Sequence, residues 1–231
     1  MKRLLAIILC VLCVALLCAC GSNNNTDENK STESTQAVSD DTDYAQLPIV
    51  GTWICEDINK DCYFIFDKNG DAYAKWGSST VYGYFDYYAD EDVYDIDIPN
   101  FLFNEYKGHF GTEVMTLKSD DSSYTFKKAT MPKVTIKAPD NLVVDEKLIG
   151  NWQSADSFEC YEFNKDNTAK ITDMYNYSII ECKYTCNNGK VTFYYMTTDK
   201  KDGSRECEYS FKDNKLELAG YTYENVTGMN S

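Results

Sequence analysis

Two stretches of this chain are written to one pattern, and inside each the pattern has a period of two. Val50-Gly51-Thr52-Trp53 returns roughly one hundred residues later as Ile149-Gly150-Asn151-Trp152. Residues 62–74, CYFIFDKNGDAYA, are echoed by residues 159–171, ECYEFNKDNTAKI, with Phe66 matched by Phe163. Both copies close on alternating segments, 114–129 and 215–227. So long a spacing marks a duplicated domain, not a solenoid repeat. In the second copy Tyr161 and Phe163 share one face of their segment, as do Ile180, Cys182, Tyr184 and Cys186. Val191, Phe193 and Tyr195 do the same, followed by Cys207, Tyr209 and Phe211, then Leu216 and Leu218. Between them stand Glu162, Glu181, Lys183, Thr185, Glu206 and Glu208. Successive strand side chains point to opposite faces, so this alternation specifies antiparallel strands with one wet face.

Turn residues punctuate the runs at Lys68-Asn69-Gly70, Lys165-Asp166-Asn167, Asn187-Asn188-Gly189 and Lys212-Asp213-Asn214. Asn and Gly tolerate positive φ and suit tight hairpins. No segment after Cys20 keeps a helical period, and the 19 Tyr and 11 Phe favour strands. The expected fold is all-β: two tandem antiparallel up-and-down barrels, each of about 7–8 strands. The barrels are assigned to residues 47–130 and 146–231, joined by a linker at 131–145 that Pro132 and Pro139 keep extended. The inward candidates are large, among them Phe64, Phe66, Tyr84, Phe126, Tyr161, Phe163, Tyr184 and Phe193. They read as core, because a small barrel is just wide enough to be filled by side chains.

An opening Gly-x-Trp followed by such a meander resembles the lipocalin-like β-barrels, and in particular the small lipocalin-like domains of bacterial lipoproteins. The residues that carry the resemblance are Gly51 and Trp53 in the first copy and Gly150 and Trp152 in the second. The resemblance implies that each tryptophan plugs the closed end of its barrel. The copies are about half a lipocalin's length, and neither ends in an arginine that would stack on the tryptophan.

The N-terminus fixes the expected location. Lys2 and Arg3 precede an apolar run from Leu4 to Cys20, the layout of a secretory signal and short for a membrane span. Leu17-Cys18-Ala19-Cys20 resembles the lipobox of bacterial lipoproteins. That resemblance implies removal of residues 1–19, acylation of Cys20, and an extracytoplasmic protein held on the cell membrane. Residues 20–46 are polar and acidic, with too little apolar surface to offset ordering entropy, and read as a disordered linker.

The net charge of −15 argues against nucleic acid, whose phosphates require Lys and Arg. Six cysteines remain beyond the anchor: Cys55, Cys62, Cys160, Cys182, Cys186 and Cys207. An even number in an exported chain points to disulfides, Cys55 with Cys62 if pairing is local; buried thiols are the alternative. No metal site and no cofactor site is expected. Asp67-Lys68-Asn69-Gly70-Asp71 resembles part of a calcium loop but lacks the remaining ligands, and reads as a hairpin turn. Asp95 and Asp97 are expected on an outer face, with Ile96 and Ile98 inward. His109, flanked by Gly108 and close to Gly111, reads as a loop residue. No catalytic motif is present. The expected function is therefore a non-catalytic binding or interaction module of the cell envelope, for a small apolar ligand or an envelope protein. The alternative is an inhibitor or accessory subunit of an extracellular enzyme.

Overall fold

The structure, a computed structural model, describes residues 43–228. The expected leader at 1–19, the expected lipidation at Cys20 and most of the expected linker lie outside the described residues. A 3-10 turn, Tyr44–Gln46, leads into sixteen strands. The first eight are β1 (Gly51–Cys55), β2 (Lys60–Phe66), β3 (Asp71–Trp76), β4 (Ser79–Tyr88), β5 (Val93–Ile98), β6 (Leu102–Phe110), β7 (Val114–Lys118) and β8 (Ser123–Lys128). The second eight are β9 (Gly150–Gln153), β10 (Glu159–Phe163), β11 (Thr168–Asp173), β12 (Ser178–Asn187), β13 (Lys190–Met196), β14 (Asp202–Lys212), β15 (Lys215–Leu218) and β16 (Tyr221–Asn225).

The protein is all-β. Strands β9–β16 each pair antiparallel with the next, and β16 returns to β9, so they form a closed eight-stranded barrel. The other eight strands follow the same order of neighbours, with β4 beside β5 and β8 beside β1. One further pairing, β4 with β12, joins all sixteen into a single sheet through Ser79–Ile180, Thr80–Ile179 and Val81–Ser178.

Each half has its own apolar core. In the first half Phe64 meets Phe126 edge to face at 5.5 Å, and Phe66 meets Phe85 at 5.6 Å. In the second half Phe163 lies against Tyr184 at 5.1 Å and Phe193 at 5.7 Å. Burying such a ring contributes about 1.5–3 kcal/mol, and edge-to-face geometry adds about 0.5–1.5. Ile96 and Ile98 are buried between outward Asp95 and Asp97, as the alternation requires.

The inward assignment of Tyr84 is corrected. In β4 the inward residues are the odd-numbered ones: Val81 faces Ala74, and Phe85 faces Ile96. Tyr84 therefore points outward, opposite Asp97, which bonds its hydroxyl. His109 is also not in a loop. It lies in β6, opposite Thr116, and is exposed. Its neighbour Gly108 is small for packing reasons, since a Cβ there would sit 2.3 Å from the Phe110 ring.

The Gly-x-Trp motif has the same geometry in both halves. Gly51 has φ +150° and Gly150 φ +129°, backbone that side chains with a Cβ rarely adopt. At Gly150 a Cβ would also lie 2.3 Å from Thr227 Oγ1. The turn this allows lets each indole fold back on the chain. Trp53 Nε1 donates to the Ile49 carbonyl at 2.8 Å, and Trp152 Nε1 to Leu148 at 2.6 Å. A lysine covers the first tryptophan where no arginine was found: Lys128 Nζ lies 6.0 Å from the Trp53 ring.

Candidate functional site at the mouth of the barrel

In an up-and-down barrel, alternate connections gather at opposite ends. Trp152 marks one end. At the other lie the β9–β10, β11–β12, β13–β14 and β15–β16 connections. The interior between is occupied by Tyr161, Phe163, Tyr184, Phe193, Leu216, Leu218 and Tyr223, all buried. No buried side-chain polar atom among the described residues lacks a hydrogen-bond partner.

The mouth differs in chemistry from this interior. Glu159 begins β10 on the inward side, two residues before Tyr161. Arg205 takes the inward side of β14, opposite Phe193 and two residues before Cys207. Their side chains meet as a fork: Nη1 donates to Oε1 at 2.7 Å and Nη2 to Oε2 at 2.9 Å. The Tyr161 hydroxyl donates to Glu159 Oε2 and accepts from Arg205 Nη2. The Arg205 hydrogen bonds hold the Glu159 carboxyl below its usual range, despite partial burial. Burial, and after it the Glu159 carboxylate, drives the Tyr161 phenol up. Bidentate charged hydrogen bonds of this kind are among the stronger ones in proteins. This clasp closes the barrel just below the rim.

Above the clasp, aromatic rings stand in solvent. Phe158 is 66% exposed, Tyr175 72% and Tyr221 47%. Phe158 and Tyr175 hold each other at 5.7 Å with planes tilted by 56°. Their loops are tied, because the Met174 amide donates to the Phe158 carbonyl at 2.9 Å. Asp173 fixes the hairpin that carries Tyr175 by accepting from the Tyr175 and Asn176 amides at 2.9 and 3.0 Å. The rings border an open cleft of about 410 Å³, lined also by Ser157, Glu159, Asp173 and Asn176. A second cleft, about 430 Å³, lies along Asn188–Lys190 and β14–β15. Bonds from Lys190 to Glu206 and from Ser210 to Glu217 engage polar groups along it, and of its lining only Tyr209 is aromatic.

The first half closes its corresponding end differently. A helical turn, Glu56–Asn59, bridges β1 and β2, and Ile58, Trp76 and Phe101 pack on the core beneath it. Trp76 meets Phe101 at 5.0 Å. No charged fork and no exposed ring pair is found at this end among the described residues.

The cysteines separate by strand parity. Cys182, Cys186 and Cys207 point into the barrel, whereas Cys160 points out of β10 and lies 3.8 Å from Met174 Sδ. Cys186 and Cys207 flank Val191 from either side, two strand spacings or about 9.6 Å apart. Cys55 and Cys62 are both fully buried and next in register after the Ile54–Tyr63 pair. Burial pushes the Cys62 thiol up to about 12. Asp67 is engaged by its own hairpin, accepting from the Asn69 and Asp71 amides.

Sequence reasoning did not single out Phe158, Glu159, Tyr175, Arg205 or Tyr221. Two signals were present. Glu159 and Arg205 are charges at inward positions of otherwise apolar alternations, and Met174-Tyr175-Asn176-Tyr177 fills a hairpin turn with rings instead of turn formers. The chain matches no known protein-family description and no curated protein.

Proposed function

We propose that this protein is an extracytoplasmic lipoprotein, anchored through acylated Cys20, whose two tandem lipocalin-like barrels form a non-catalytic binding module. On this reading the ligand is held at the mouth of the second barrel and not inside it. One observation carries the reading: large buried side chains and the Arg205–Glu159 fork occupy the interior, while an aromatic rim on tied loops above them faces solvent. Exposed clustered rings on fixed loops are a recurring mark of recognition surfaces. The apolar-ligand expectation is thereby narrowed, since a ligand on the rim needs no apolar cavity. All six described cysteines are free thiols in the structure; on this reading Cys55 and Cys62, which share an inward side one step beyond the Ile54–Tyr63 pair, are the two proposed to form a disulfide on export.

The test is a thermal-shift comparison of the mature chain with Tyr175→Ala, using saccharide, peptide and lipid fractions of a bacterial envelope. At least one fraction is expected to raise the midpoint of the wild type and to leave the variant unmoved. A shift that persists in Tyr175→Ala, or no shift with any fraction, overturns the assignment of the rim.

A further inference from the structure

We infer that the rim cleft is a saccharide site, for a neutral or amino sugar whose ring lies on the Phe158–Tyr175 pair. This inference rests on the rim being the binding surface.

The lining supplies the argument. Its apolar part is aromatic throughout, from Phe158, Tyr175 and Tyr221, and it contains no Leu, Ile or Val. The rest is hydroxyl, carboxylate and amide: Ser157, Glu159, Asp173 and Asn176. A lipid chain or an apolar peptide side chain needs aliphatic depth, and here the clasp closes the floor. A pyranose ring offers the complementary surface. Its C–H face is weakly positive and suits the negative face of an aromatic ring. Its hydroxyls, at the ring edge, suit planar carboxylate and amide groups, each of which can take several hydrogen bonds at once. Asp173 Oδ1 accepts twice from its own turn, and Oδ2, which accepts from Asn176 Nδ2, has one lone pair left for a sugar hydroxyl. The cleft volume falls within the range of small-ligand sites.

Charge decides the sugar class. Two carboxylates border the cleft, and the guanidinium beneath them is engaged by one of them. A uronate or a phosphorylated sugar would meet repulsion, while an uncharged or protonated amino sugar would not. The Asp173 turn and the Met174–Phe158 amide bond fix the backbone that carries both rings before binding, so little loop order is lost on complex formation.

Isothermal titration of the full mature chain tests this with three probes: the tetramer of N-acetylglucosamine, the tetramer of glucosamine and the tetramer of galacturonate. Saturable binding of at least one of the first two is expected, with none for the galacturonate. Affinity should fall at least tenfold in Phe158→Ala and in Tyr175→Ala. It should stay within about twofold in Tyr175→Phe, which keeps the ring, and in Phe103→Ala, which removes an equally exposed ring on β6 of the first half. Unchanged far-UV circular dichroism excludes a folding defect as the cause of any loss. Binding that survives both alanine variants, preference for the anionic tetramer, or no binding of either expected probe overturns the inference. In the last case a Tyr175-dependent shift with peptide or lipid fractions would leave the rim reading standing and remove only the sugar.

Discussion

Arg205 is the one arginine after Arg3 in a chain whose other cations are lysines, and it lies on an inward strand face. The choice has a physical reason. A guanidinium presents two parallel N–H groups to both oxygens of Glu159, whereas an ammonium is a point charge on a flexible stem. Removing it leaves a carboxylate that is only one-third exposed without its main partner. Arg205→Ala should therefore cost about 1–2 kcal/mol, at the lower end for a charged hydrogen-bonded pair because water reaches both groups. Arg205→Lys should recover only part of that. The pH dependence follows from the direction of the Glu159 shift. Its folded value is depressed, so its contribution is fully present above the ordinary glutamate value of about 4.3 and fades as pH falls through the lower folded value. Guanidinium midpoints measured from pH 7 down to pH 3 should converge for wild type and Arg205→Ala; parallel curves would show that the clasp carries no linked proton.

Strand β5 carries an opposite electrostatic design on its outer face. Asp95 stands directly across from Asp86 on β4 and from Glu105 on β6, three carboxylates in one row of the sheet. Burial, followed by the charges of Glu105, Asp86 and Asp97, raises the Asp95 pKa. Like charges facing across a ladder are destabilising. Asp95→Asn keeps the shape and should stabilise by about 0.5–1 kcal/mol at pH 7. The gain should shrink on acidification, since an acid with a raised folded pKa loses its penalty as it protonates; a midpoint unchanged at pH 7 would count against this. Much at this scale was legible in the sequence. The alternation around Ile96 and Ile98 fixed their side of the sheet, and the paired Gly-x-Trp motifs marked equivalent turns. Other features were not. Tyr84 and Phe85 are adjacent aromatics, and only the register with β5 decides which one enters the core. Gly108 reads as loop punctuation until the Phe110 ring that occupies its missing side chain is seen. Arg205 keeps the parity of Cys207, Tyr209 and Phe211, but its meeting with Glu159 from a different strand shows only in the folded barrel.

Across the molecule, the two halves meet at a narrow seam of backbone bonds, and the seam supports the mouth. Ser78 donates to the Met196 carbonyl at 2.9 Å, and its hydroxyl accepts from the Met196 amide at 2.9 Å. Ser78 also accepts from the Glu181 amide, and the Tyr82 amide donates to Tyr177 in the hairpin that displays Tyr175. Lys200 reaches Asp61 at 2.6 Å and Lys75 reaches Glu181 at 3.4 Å, pairs worth little at the surface. Backbone bonds of this number contribute on the order of 2–6 kcal/mol, comparable to what one core substitution removes. The halves should therefore be coupled but separable. Gly77 controls the seam: it has φ +55°, and a Cβ there would lie 2.4 Å from the Thr197 carbonyl oxygen. Gly77→Ala should open the seam and touch neither core. The measurement uses Trp152→Phe chains, in which Trp53 and Trp76 fluorescence reports the first half alone. Leu216→Ala, a fully buried truncation in the second core, should lower that first-half midpoint when Gly77 is present, because the folded second half no longer supports it as strongly. Combined with Gly77→Ala, the same truncation should leave the first-half midpoint where Gly77→Ala alone sets it. Equal effects of Leu216→Ala in both backgrounds would mean that the coupling runs through contacts other than the seam.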